Sequence, residues 1–151
     1  MEAKVSWQKD LIFIGTADSG YPVTMDSKSS PGTGVGPVEM VAIALAGCTA
    51  MDVISILAKK HEHVTSFEVK VKAERAIDYP KVISHAVLEY VIAGRNINEE
   101  SLLRAIELSV TKYCPVHAML EKAFPIDLNY SIYEDEVKGE KKLVKLGTYR
   151  H

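Results

Sequence analysis

The stretch from Val35 to Ala58 is apolar on nearly every face when wound as a helix, as far as Ser55. Pro37 suits the first turn of that helix, which is expected to run to about Lys60. A helix greasy on all sides is buried on all sides, so in a chain of 151 residues it must lie at the centre of the fold or in a subunit interface. Glu39 and Asp52 sit inside the stretch with twelve residues between them. That is short of the roughly 20 apolar residues a bilayer requires, so the segment reads as a buried helix with no membrane partner. Met1 to Asp10 carries Glu2, Lys4, Lys9 and Asp10 and has no apolar core, so no secretory signal is expected there. A cytoplasmic location follows, where thiols stay reduced and a disulfide is more often catalytic or sensing than structural.

Eighteen Lys and Arg against 20 Asp and Glu give a formal net charge of −2, which lacks the basic excess of a general nucleic-acid binder. With 47% apolar and 25% charged residues, the chain is expected to fold as one domain over 1–133, followed by a charged, exposed or frayed tail over 134–151. Period-2 alternation marks strands at Val5 and Trp7, at Leu11, Phe13 and Gly15, and again at Tyr21, Val23 and Met25 after the turn Asp18-Ser19-Gly20. Asp26 to Gly36 is a Gly/Ser/Pro loop without side chains suited to a core. Phe67, Val69, Val71 and Ala73 alternate with charged neighbours and return through Val82 to Ile92 as a long hairpin. Asn96 and Asn98 are candidate N-caps for a second helix carrying Leu102, Leu103, Ile106 and Val110. Pro115 interrupts it, a short helix follows to Ala123, and Ile126 to Ile132 makes a last strand. Segregated runs of strands and helices predict an α+β fold, with two antiparallel sheets about the long helix.

Two cysteines cannot make a disulfide framework, but they can make one redox pair. Cys48 in Ala46-Gly47-Cys48-Thr49 reads either as an inert core thiol or, given a mid-helix glycine, as a place where a second chain or a substrate comes close. In Tyr113-Cys114-Pro115-Val116-His117 the proline would take the first helical position and leave Cys114 as N-cap. A thiol there faces free backbone N–H groups that lower its pKa, unless Pro115 merely separates two helices and the thiol is incidental. Cys114 and His117 make half of a metal site, but no partner pair stands at ligand spacing, so no metal is expected.

Gly36-Pro37-Val38-Glu39-Met40-Val41-Ala42-Ile43-Ala44-Leu45-Ala46-Gly47-Cys48, followed 66 positions later by Cys114 in Tyr113-Cys114-Pro115-Val116, resembles the OsmC/Ohr family, closest to its YhfA-like branch. The resemblance extends over nearly the whole chain. It implies an intertwined homodimer with two sites near the interface, and thiol peroxidase chemistry without an organic cofactor or metal. Cys48 would be the peroxidatic and Cys114 the resolving cysteine. Organic hydroperoxides would be the substrates and a dithiol the reductant.

Three residues depart from the family's peroxidases. Those enzymes hold the reactive cysteine as thiolate with an arginine from the N-terminal strands, whereas the arginines here are Arg75, Arg95, Arg104 and Arg150. Arg75 could serve only by reaching across a dimer. The glutamate ten residues before the reactive cysteine is replaced by Val38, and Glu39 follows the broader OsmC-like motif. Nine residues of helix correspond to about 13.5 Å and a rotation near 180°, so Glu39 is expected to cap the helix rather than touch Cys48. Asp52, one turn after Cys48, opposes a thiolate if it is close. The supporting candidates are therefore Glu39, Arg75 and His117. The competing functions are a non-catalytic dimer that binds a small apolar or electrophilic ligand or senses redox state, and a structural stress protein with isolated thiols.

Overall fold

The computed structural model describes residues 1–27, 32–136 and 139–150. The chain is α+β, with two sheets and one long helix, and it forms two compact units, Met1–Ile43 and Ala44–His151.

In the first unit β1 (Ala3–Lys9), β2 (Ile12–Ala17) and β3 (Val23–Met25) form an antiparallel meander. The turn at Asp18-Ser19-Gly20 closes with the Gly20 N–H on the Ala17 carbonyl at 2.9 Å, and Gly20 takes a φ of 78°, which favours glycine. Residues 28–31 of the following loop lie outside the described residues. The described part does contribute one buried side chain. The Asp26 carboxylate accepts from the Ser27 N–H at 2.7 Å and from the Thr33 hydroxyl at 2.9 Å. The long helix, α1 (Pro37–Lys59), then starts with one half of a capping box, in which Glu39 at the third helical position accepts the Gly36 N–H at 2.9 Å.

The second unit holds the rest of α1 and β4 (His63–Arg75), β5 (Ile83–Arg95), α2 (Glu99–Leu108), a π-helical turn (Ser109–Tyr113), α3 (Pro115–Leu120), β6 (Ile126–Asp135) and β7 (Lys141–Tyr149). Asn98, rather than Asn96, caps α2 and accepts the Ser101 N–H at 2.9 Å. The sheet order is β4-β5-β6-β7. The β4–β5 hairpin is antiparallel, as expected, but β6 lies parallel to β5. This sheet is therefore mixed, because α2 and α3 carry the chain back to the starting edge before β6 begins, as a crossover must. Leu88, Tyr90 and Ile92 of β5 lie in register with Leu128, Tyr130 and Ile132 of β6, and these six side chains form one wall of the core. Leu102, Ala105 and Ile106 of α2 belong to the same core.

Two expectations are corrected. The segment after Glu134 is largely exposed, as one of its two expected states, but it does not fray throughout: Lys141–Tyr149 pairs with β6. Gly147 lies under the Tyr130 ring, where any Cβ would collide with the phenol oxygen. Nor is α1 buried all round within the chain. Only Leu45, Thr49, Val53 and Leu57, spaced four apart, are fully buried, while Ile43 and Met51 are 58% and 72% exposed. By length and composition α1 could cross a bilayer, but its inward stripe packs as a core helix does, on the wall made by β5 and β6.

Candidate redox site

Cys48 and Asp52 stand four residues apart on α1 and so project from the same face. Cys114 is brought to them by the break between α2 and α3. The π-helical turn ends at Tyr113, and Pro115 forces the residue before it into extended geometry, with φ −81° and ψ 99° at Cys114. Cys114 thus becomes the N-cap of α3, as the sequence predicts, and its Sγ accepts the His117 N–H at 3.3 Å. The two sulfur atoms and a carboxylate oxygen of Asp52 all lie within 4.8 Å of one another. Both thiols are free; Cys114 is buried and Cys48 half-buried.

A line of buried hydroxyls ends at this cluster. Tyr90 OH lies 2.8 Å from Thr49 Oγ1, Thr49 Oγ1 lies 2.9 Å from Ser109 Oγ, and Ser109 donates to Asp52 Oδ2 at 2.9 Å. Each hydroxyl has one proton, so the bond from Ser109 to the carboxylate orders the rest: Thr49 donates to Ser109, and Tyr90 to Thr49. Burial pushes the Tyr90 phenol well above its ordinary pKa, which keeps it a donor. Aligned donors of this kind polarise one another along the line.

The expected lowering of the Cys114 pKa is overturned. The His117 N–H does pull it down, but burial outweighs that bond, and the hydrogen bond to Cys48 and the charges of Cys48 and Asp52 act in the same direction as burial. The thiol is pushed up to about 12.

The side chains of the supporting candidates have other partners. Glu39 is engaged at the start of α1. Arg75 donates from Nε to the Lys81 carbonyl at the exposed tip of the hairpin. It lies six residues along β4 from Val69, the partner of Tyr90, which is about 20 Å of strand. The His117 ring is buried with Nδ1 3.6 Å from Glu121, so it is the backbone of this residue that meets Cys114. Thr49, Tyr90 and Ser109 are parts of the site that the sequence reading passed over. Their signal was a hydroxyl at a position whose helical or strand period demands an apolar residue.

The family model described as OsmC-like protein matches residues 30–129. Protein YhfA of Escherichia coli (strain K12) is 39% identical over 132 residues, covering 87% of this chain and 98% of YhfA. A crystal structure of a hypothetical protein from Aquifex aeolicus VF5 superposes with a TM-score of 0.80 at 25% identity, over 89% of this chain and 97% of that one. The organic hydroperoxide resistance protein OhrB of Bacillus subtilis shares the fold, with a TM-score of 0.57 at 14% identity over 86% and 98% of the two chains.

Proposed function

This chain belongs to the OsmC-like protein family, and from that premise we propose that it is a thiol-dependent peroxidase of organic hydroperoxides working through Cys48 and Cys114. Family membership and its redox-protein neighbours support a redox-related role. The observation that carries the finer reading is the meeting of two free thiols, 66 positions apart in sequence, within 4.8 Å. Cys48, the more exposed sulfur, attacks the O–O bond as thiolate; the peroxide leaves as alcohol after taking a proton, and the sulfur keeps the other oxygen as sulfenic acid. The Cys114 sulfur then attacks the sulfenic sulfur, the S–S bond forms, and water leaves. A dithiol reductant reopens the disulfide by exchange and is itself oxidised.

A second reading is favoured by the charges at the site. Asp52 stands beside the sulfurs, and the chain's four arginines, Arg75, Arg95, Arg104 and Arg150, include none in the N-terminal strands, from which the family's peroxidases draw the arginine that holds their thiolate. A non-catalytic dimer that binds a small apolar or electrophilic ligand is consistent with that.

Intact mass and free-thiol counting after one equivalent of cumene hydroperoxide decide between the two. The peroxidase loses two mass units and both thiols in wild type, while Cys48→Ser keeps its one remaining thiol. Two thiols persisting at excess peroxide exclude it and leave the ligand-binding reading.

Both readings use a homodimer in the cytoplasm. The outward face of α1, with Ile43, Met51 and Ile54 exposed, supports a second copy as its cover, since a contiguous apolar face is rarely left to water. Met51→Lys is expected to shift the protein to monomer by light scattering; an unchanged mass would place the interface elsewhere.

A further inference from the structure

We infer that Cys48, Asp52 and Cys114 form a binding site for a thiophilic divalent cation, with Zn2+ the ion whose chemistry fits. The sequence offers only half a site at Cys114 and His117, and it is α1 that supplies the missing ligands. Two sulfurs and one carboxylate oxygen lie within 4.8 Å of one another. In a tetrahedral zinc site, bonds of about 2.3 Å to sulfur and 2.0–2.2 Å to oxygen place neighbouring ligands about 3.5–3.8 Å apart. The cluster therefore closes on a cation with movements of about 1 Å or less, within the reach of side-chain rotation.

The surroundings are those that a metal site needs beyond its ligands. Ser109 donates to Asp52 Oδ2 at 2.9 Å and the His117 N–H donates to the Cys114 sulfur at 3.3 Å, so two of the three ligands are already oriented by outer hydrogen bonds. The ligands stand on a helix interior and on a helix cap rather than on a loose loop. Two thiolates select zinc over magnesium or calcium, which prefer oxygen.

On binding, each thiol releases its proton to solvent and donates a sulfur lone pair, and Asp52 donates an oxygen pair. No electron changes owner, and three negative charges are reduced to one. A fourth position is left for water. This inference does not rest on the peroxidase reading, because coordination requires neither peroxide nor disulfide.

The test uses the full chain, purified and fully reduced, titrated with Co2+ as spectroscopic probe and then with Zn2+ against a chromophoric chelator. One Co2+ per chain with thiolate-to-metal charge transfer and tetrahedral absorption, displaced by one Zn2+, is expected. Cys48→Ser and Cys114→Ser should each weaken binding by about 100-fold or more, and Asp52→Asn and Ser109→Ala by about 10-fold to 100-fold. Circular dichroism of each variant separates lost ligation from lost fold, and the wild-type spectrum stands on its own if a variant fails to fold. Absence of charge transfer on reduced wild type overturns the inference. So does a Co2+ spectrum unchanged in a folded Cys114→Ser, which would assign the ion elsewhere, such as His61 and His63. The mass change with hydroperoxide reports separately on the peroxidase.

Discussion

Two opposing effects meet on the sulfur of Cys114. The N-cap position supplies one N–H that favours the thiolate, while burial, the bond to Cys48 and the charge on Asp52 favour the thiol, and the second group wins. Cys48→Ser is therefore expected to lower the Cys114 pKa from about 12 but to leave it above an ordinary thiol, because burial is the largest cause and remains. Thiolate absorbance against pH measures this, and an ordinary value in the variant would show that the neighbouring sulfur, not burial, dominates. Folding raises this pKa, so the contribution of Cys114 to stability is present below the unfolded value and is lost as pH rises through about 12. Thr49→Val keeps the shape but removes the middle of the hydroxyl line, leaving Tyr90 OH buried without its partner. A loss of roughly 1–3 kcal/mol in urea unfolding is expected. The cap at Cys114 was legible in Tyr113-Cys114-Pro115, because proline acts on its own neighbours. The sign of its pKa shift was not, because burial is a property of what packs around it.

At the level of elements, α1 shows which features local chemistry decides. Its start is written in Gly36-Pro37-Val38-Glu39: the glutamate reaches back to the Gly36 N–H, and Pro37 has no N–H to leave unpaired. Glu39→Ala is expected to cost about 0.5–1.5 kcal/mol in unfolding while leaving the thiol reactions at the wild-type rate. A large loss of peroxide turnover would instead give this carboxylate a part in the chemistry. The burial of the helix was not legible in the same way. Apolar composition said that α1 would be covered, but only the packed sheet decided that its own chain covers one stripe. The parallel pairing of β6 with β5 likewise depends on where the α2–α3 crossover returns the chain, and no strand pattern encodes that.

For the second unit as a whole, β7 is the edge strand that completes the four-stranded sheet beyond β6. A chain truncated after residue 136 would expose the β6 backbone edge and the Tyr130 ring, and would lose the bridge from Lys145 to Glu99 at 3.2 Å. A lower melting temperature and aggregation on heating are expected, as unpaired strand edges recruit other chains. Unchanged melting would show that this strand adds little. The sequence by itself determined the class of fold, the long helix and its cap, the hairpin and the cap at Cys114, because each depends on periodicity or on the stereochemistry of adjacent residues. Tertiary structure alone decided that Cys48, Asp52 and Cys114 meet, that three hydroxyls line up behind Asp52, and that Cys114 holds its proton. Distance between remote residues, exclusion of water and the sum of nearby charges exist only once the chain has packed.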